Sequence, residues 1–97
     1  MVGHASFLLY CLLSEVAMNI DPRTETTACL SEKLVQLAVT PAQKQIAFHQ
    51  LGCIRLLRKE YTEAEHRFEI AFSAGHVYSI AGLARIAGIQ GKKGSSL

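Results

Sequence analysis

The chain has 97 residues, of which 49% are hydrophobic and 19% charged, and its formal net charge is +2. This length allows one small domain, and so small a net charge gives no argument for nucleic-acid binding, which calls for a basic stripe on one face. Small domains bury a smaller share of their surface than large ones, so this much apolar sequence is typical of a segment that packs against a neighbour.

The cysteines and the apolar start of the chain indicate its setting. Cys11, Cys29 and Cys53 form no Cys-x-x-Cys pair and are odd in number, which favours free thiols in a reducing compartment. Residues 7–13 (FLLYCLL) are far fewer than the roughly 20 that span a bilayer. No Lys or Arg precedes this run and Glu15 interrupts it, so we expect a buried helix, no signal peptide and no membrane partner.

Helical signals follow along the whole chain, and no segment reads as a strand. The first predicted helix covers residues 6–18. Asp21 is a good N-cap and Pro22 a good first helical residue, so the second helix is predicted over residues 22–38. Its apolar stripe has helical spacing and consists of Leu30, Leu34, Leu37 and Ala38.

The third helix carries the strongest start signal. Thr40 can cap it, Pro41 can open it, and Gln43 can reach back to complete a capping box. This helix is predicted over residues 41–58, followed by a turn at residues 59–60.

The last two helices are bounded by a cap and by glycines. Thr62 and Glu65 form a second capping box in the sequence, so the fourth helix is predicted to start near Thr62. It ends at Gly75, where a left-handed residue is wanted. A fifth helix is predicted over residues 76–90, ending at Gly91.

Large and small residues in the third and fourth helices match one tetratricopeptide repeat, a helix–turn–helix unit. Gly52 costs about 1 kcal/mol relative to alanine inside a helix, and we expect Phe68 to pack over its missing side chain. The pattern starts again at Leu83 and Ala84, which lie 32 residues after Leu51 and Gly52. The residues predicted to pack the repeats together are Phe48, Leu51, Gly52, Ala64, Phe68, Ala71, Leu83 and Ala84.

The predicted fold is therefore an all-α solenoid fragment of about five helices, of tetratricopeptide or Sel1-like type. Residues 1–40 are a preceding helical pair, residues 41–75 a complete repeat, and residues 76–97 the first helix of a truncated repeat with a flexible tail. Repeats of this kind normally need at least three stacked units.

A longer string is specific to one family. Residues 45–53 (QIAFHQLGC), 57–61 (LRKEY) and 71–79 (AFSAGHVYS) resemble the plant ethylene-overproducer family. The resemblance is closest over residues 43–85, and residues 26–38 (TTACLSEKLVQLA) look related.

Proteins of that family carry a BTB domain followed by tetratricopeptide repeats. They act as substrate adaptors of a cullin-3 ubiquitin ligase, and their repeats bind type-2 ACC synthases and so limit ethylene biosynthesis. The resemblance implies a cytoplasmic protein that is not an enzyme and whose protein partner is an ACC synthase. A BTB domain needs strands, and none is predicted in this sequence. The resemblance therefore implies only the substrate-recruiting part of such an adaptor.

In stacked repeats the first helix of each pair lines the binding groove. The predicted groove residues are Ile46, His49, Cys53 and Leu57 from the third helix, with Tyr78, Ala81 and Arg85 from the fifth. An alternative is that the third-helix face is core, covered by the preceding helical pair. A further alternative is a truncated structural fragment without activity of its own, whose apolar faces could bring two copies together.

Chemistry at His49 and Cys53 is disfavoured. They lie four residues apart, but a metal site needs three or four ligands and no further Cys or His has ligand spacing nearby. No third residue is evident to orient a nucleophile pair. We expect no catalytic residue, metal or cofactor.

Overall fold

The computed structural model describes residues 2–91, and the side chains from residue 4 onward. Over those residues the chain forms five helices and no strand, which confirms the predicted all-α fold class. The predicted tail, residues 92–97, lies outside the described part. The helices are α1 (Val2–Ile20), α2 (Glu25–Leu37), α3 (Pro41–Leu57), α4 (Tyr61–Ser73) and α5 (Ser79–Ile89).

The start of α2 differs from the prediction. Thr24, and not Asp21, is the N-cap, and its hydroxyl accepts a hydrogen bond from the Thr27 amide at 3.2 Å. The Asp21 carboxylate instead accepts from the Arg23 amide at 3.0 Å, which closes a turn before the helix. Pro22 therefore lies in that turn and not in the helix, and the Asp21 side chain, which bonds the Arg23 amide, does not cap α2.

One predicted capping box forms and the other does not. The Thr40 hydroxyl accepts from the Gln43 amide at 3.1 Å, and the Gln43 side chain accepts from the Thr40 amide at 3.1 Å, as predicted. The box at Thr62 was wrong: α4 begins one residue earlier, and its N-cap Glu60 makes no side-chain cap. The Glu60 carboxylate is held by Arg55 at 2.7 Å.

Left-handed residues end α3 and α4 in the same way. Gly75 has a φ of 112°, and the next amide, of His76, donates to the Ala71 carbonyl at 2.9 Å. Lys59 has a φ of 66°, and the Glu60 amide donates to the Arg55 carbonyl at 2.9 Å. Gly75 is where a left-handed cap was predicted, whereas Lys59 adopts this conformation without being glycine.

The fifth helix is shorter than predicted, and the first is longer. Residues 76–78 form a turn before α5, and α1 extends to Ile20. Gly91, with a φ of 68°, follows the end of α5 as predicted.

Successive helices pack on one another, and α3 also contacts α1 and α5. One buried cluster joins the N-terminal helices to α3 through Phe7, Leu34 and Ala47, and the other joins α4 to α5 through Ala64, Phe68 and Ile86.

The ring of Phe68 is wedged between two glycines. A Cβ on Gly52 of α3 would lie 2.8 Å from ring atom Cδ1, and one on Gly82 of α5 would lie 2.6 Å from Cζ. Such contacts leave no room for a side chain at either position, and Phe68 packs over Gly52. From α5, Leu83 and Ala84 were predicted to pack the repeats, but Gly82 is the residue that meets the ring. Leu83 is partly buried against the cluster that contains Phe68, and Ala84 is exposed.

The remaining residues predicted to pack the repeats are placed inside or near the core. Leu51, Ala64 and Ala71 are fully buried, and Phe48 is partly buried. The division of the chain into a pair, a repeat and a truncated repeat remains a prediction.

An ion-pair network ties α2 to α3 and to the start of α4. The Arg55 guanidinium contacts Glu32 at 2.5 Å and Glu60 at 2.7 Å. Arg58 contacts Glu25 at 3.4 Å, and its guanidinium also donates to the Arg23 carbonyl at 2.9 Å. The hydrogen bond from Arg55 lowers the pKa of Glu60.

Replacing Gly52 or Gly82 by alanine is expected to destabilise the chain by about 1–2 kcal/mol, because overpacking against the buried ring exceeds the gain in helix propensity. Gly88→Ala is the matched control, since nothing lies within 4 Å of its added Cβ. That variant should be as stable as the parent chain or up to about 1 kcal/mol more stable. Urea unfolding measures all three, and equal effects at the three glycines would contradict the wedge.

The Arg55→Leu variant should lose about 1–2 kcal/mol of unfolding free energy, because the Arg55 side chain is only 18% exposed and bridges two carboxylates. Arg67→Leu, which breaks the i,i+4 pair with Glu63, should cost no more than about 0.5 kcal/mol. Thermal unfolding of both variants checks this, and a loss as large at Arg67 as at Arg55 would speak against a special role for the network.

Candidate partner-binding site

A cleft of about 330 Å³ lies between α1 and α3, and His76 of the turn before α5 also lines it. On α3, Ile46, His49 and Cys53 share one face because they are three and four residues apart. The cleft is lined by Cys11, Glu15, Met18 and Asn19 of α1, by Ile46, His49, Gln50 and Cys53 of α3, and by His76.

Three of the seven predicted groove residues, Ile46, His49 and Cys53, line this cleft. The other four lie outside it, and Leu57, Tyr78, Ala81 and Arg85 are all exposed. Tyr78 borders the cleft, because its ring contacts that of His76 with centroids 5.9 Å apart. Arg85 is near enough that its charge lowers the pKa of Cys53, an effect smaller than the opposing one of burial.

The wall formed by α1 was missed from the sequence. The spacing of Cys11, Glu15 and Met18, four and three residues apart, places them on one face of the helix and was the available signal. His76 was likewise not among the predicted groove residues. It reaches the cleft because residues 76–78 form a turn and leave its side chain beside α3.

The α3 face was interpreted either as a binding groove or as core covered by the preceding helical pair, and each interpretation describes part of it. The α1 helix covers one side of that face, so His49 and Cys53 are partly buried. Ile46 remains 45% exposed. The face is therefore a half-covered cleft, with an apolar floor and an acidic residue, Glu15, on one wall.

His49 links α3 to the start of α5. Its Nδ1 shares a hydrogen bond of 2.9 Å with the hydroxyl of the buried Ser79, and its Nε2 lies 3.6 Å from the Cys53 sulfur. Its ring packs on those of His76 and Phe68, with centroids 4.3 and 5.4 Å away. Burial lowers the pKa of His49, and the neighbouring His76 lowers it further.

This cluster is not arranged as an activated nucleophile. Ser79 supplies the third residue that the sequence did not reveal, but burial raises the pKa of the Cys53 thiol. A nucleophilic cysteine needs a lowered pKa, because the thiolate is the reactive form. The three cysteines are free, and within residues 2–91 no group of three His, Cys, Asp or Glu side chains could hold a metal.

A second depression, of about 410 Å³, lies between α2 and α3. Arg55 and Arg58 line it, but both guanidinium groups are paired with glutamates. Charges already neutralised in this way make a poor site for an anion. The depression is best explained as the surface of the ion-pair network.

The fold and the cleft define a helical-repeat segment with one partly open apolar cleft. Within residues 2–91, none of the helices combines the length and apolarity needed to cross a membrane. Comparison with known proteins makes the relationship specific. The chain is 57% identical over 93 residues to ETO1-like protein 1 of Arabidopsis thaliana, an alignment covering 96% of this chain and 10% of that protein.

Two further Arabidopsis proteins align over nearly the same segment. Ethylene-overproduction protein 1 is 51% identical over 84 residues, covering 87% of this chain and 9% of its own length. ETO1-like protein 2 is 43% identical over 90 residues, covering 93% and 10%. These identities confirm the resemblance to ethylene-overproducer-type proteins, and the chain spans about a tenth of the length of these relatives.

No family model matches the chain, and no solved structure matches it. The assignment of the helix pairs to the tetratricopeptide type therefore remains a prediction from the sequence pattern.

Acidification is expected to destabilise the fold through His49. Its pKa is lowered from 6.5, so the unfolded chain binds the proton more readily and stability rises with pH. The His49 contribution is complete above about pH 6.5 and is lost as the pH falls through the lower pKa of the folded state.

Urea unfolding between about pH 7.5 and pH 5.5 tests this, a range in which carboxylates stay mostly ionised. His49→Gln should flatten the pH dependence, and His66→Gln, at an exposed position on α4, should leave it unchanged. An unaltered slope in His49→Gln would show that this residue is not responsible.

Proposed function

We propose that the chain is a protein-interaction segment that contributes to substrate recruitment in an ethylene-overproducer-type adaptor. The observation that carries the proposal is the half-covered cleft, which combines exposed Ile46 with opposite charges nearby, Glu15 on α1 and Arg85 on α5. In protein interfaces, apolar anchors in a concave site supply most of the affinity, and charged residues at the edge add specificity.

The finer content of the proposal comes from the relatives. The name of one of them, ethylene-overproduction protein 1, connects that protein with ethylene production. By resemblance, we propose an ACC synthase of type 2 as the partner, a cytoplasmic location, and a role beside a cullin-3 ubiquitin ligase in the longer protein. The chain would bind the partner and would not itself transfer ubiquitin.

Side chains around the cleft suggest how a partner is held. Ile46 offers an aliphatic surface in the cleft, and exposed Tyr78 extends this surface past His76. Arg85, beyond Cys53, could pair with an acidic residue of the partner. The rings of His49 and His76 pack on each other and Ser79 hydrogen-bonds His49, so these contacts fix the position of His49 in the cleft.

A second candidate is a structural segment with no binding activity of its own. The observation that favours it is the number of exposed apolar side chains on α1, among them Leu12 and Ile20, at 60% and 79% exposure. On this interpretation the segment serves to pack against other parts of a longer protein.

The test is binding of a fluorescently labelled carboxy-terminal region of a type-2 ACC synthase to the purified 97-residue chain, followed by anisotropy. We expect saturable binding. Ile46→Glu should weaken it at least about tenfold, because a carboxylate would enter the apolar cleft, and Arg85→Ala should weaken it by a similar factor.

Val39→Glu is the matched control, since Val39 is an exposed aliphatic residue between α2 and α3 and lies outside the cleft. Circular dichroism must show unchanged helix content in every variant. Absence of binding by the folded parent chain would contradict the recruiting function and favour the structural candidate. Equal losses of affinity in Ile46→Glu and Val39→Glu would show that the partner does not bind in the cleft.

A further inference from the structure

The α1 helix has two apolar faces, and only one of them is used inside the fold. Phe7 is fully buried in a cluster with residues of α2 and α3, Tyr10 and Cys11 pack against that cluster, and Ser14 is fully buried as well. The opposite side is exposed. It carries six aliphatic side chains, 41% to 79% exposed, which we call the outer face of α1: Leu8, Leu9, Leu12, Leu13, Val16 and Ile20.

These six residues form one continuous stripe. At 3.6 residues per turn they fall within an arc of roughly 140°, and they extend over about 18 Å of helix at 1.5 Å per residue. Glu15 is the only Asp, Glu, Lys or Arg residue in Val2–Ile20 and lies outside this arc. The outer face is therefore free of charge along its whole length.

The size of the outer face sets what could cover it. Six aliphatic side chains exposed to this degree make a patch of roughly 500 Å², towards the upper end for the largest patch on a soluble monomer. Two such patches brought together would remove roughly 1,000 Å² from water, which is the lower limit for a specific interface. A second copy of the chain is thus sufficient to cover it, with modest affinity.

The pattern suits pairing with itself. In an antiparallel register centred on residue 14, four of the six residues have aliphatic counterparts: Leu8 lies opposite Ile20 and Leu12 opposite Val16. Leu9 and Leu13 fall at the heights of Asn19 and Glu15, and Glu15 lies outside the stripe. A two-fold interface needs such a self-complementary patch. In an antiparallel arrangement the dipoles of the two helices also oppose each other favourably.

We propose that two copies of this chain associate through the outer faces of α1, packed antiparallel, as a weak homodimer. The interface adjoins the cleft wall but uses other residues of α1, so the proposal does not depend on the proposed substrate-recruiting function.

Sedimentation velocity of the purified chain, from about 1 to 200 µM, should show a reversible dimer with a dissociation constant in the micromolar range, about 1–100 µM. A reducing agent is needed throughout, because Cys29 is exposed and free. Leu12→Glu should raise the dissociation constant at least about tenfold. Ile80→Glu, at an exposed aliphatic position on α5, is the matched control and should change it by less than about twofold.

Mixing gives a sharper test of the register. Leu12→Glu and Val16→Lys should each dimerise poorly alone, yet an equimolar mixture should form a heterodimer in which residue 12 of one copy faces residue 16 of the other. Recovery in the mixture also shows that neither variant is simply misfolded. A parent chain that stays monomeric, an equal effect of Ile80→Glu, or no recovery on mixing would each overturn the proposal.

Discussion

The placement of one ring, that of Phe68, governs the arrangement of the three C-terminal helices. One edge of the ring meets the backbone of α3 at Gly52, and the other edge meets α5 at Gly82. The ring is fully buried, so α3, α4 and α5 pack around one aromatic side chain. Interiors are packed too densely to absorb even one added methyl group without strain. Both glycines are thus required by packing, although each lowers the intrinsic propensity of its helix.

The candidate site depends on this arrangement. Because α5 is held against α4 and α3, Ser79 reaches Nδ1 of His49 and the turn before α5 brings His76 into the cleft. Phe68 also contacts the His49 ring directly. The other wall is held independently, through the buried contacts of Phe7 with α2 and α3, while the Arg55 network fixes α2 against α3. The cleft therefore lies between two packed clusters, one around Phe7 and one around Phe68, and its shape depends on both.

How far the fold could be predicted depends on whether a signal is local. Thr40 and Gln43 predicted their capping box because both partners lie within one turn, and Gly75 predicted its own left-handed conformation. The box at Thr62 failed because α4 already begins at Tyr61, which places Thr62 inside the helix. The carboxylate of the N-cap residue, Glu60, is held by Arg55, a residue outside that helix. Gly52 was paired with Phe68 because the repeat pattern links their positions, whereas Gly82 has no place in that pattern and could not be assigned. The α3 face was predicted as part of the site, whereas its α1 wall and His76 required the tertiary structure.

The central claim, that one ring sets the spacing of three helices, is tested most directly by a double-mutant cycle. Gly52→Ala, Phe68→Leu and the double variant are compared with the parent chain by urea unfolding. If the ring is the obstacle, the alanine is costly only when Phe68 is present, and the cycle gives a coupling of at least about 1 kcal/mol. Additive losses, with a coupling near zero, would show that Gly52 and Phe68 act independently and would contradict the claim.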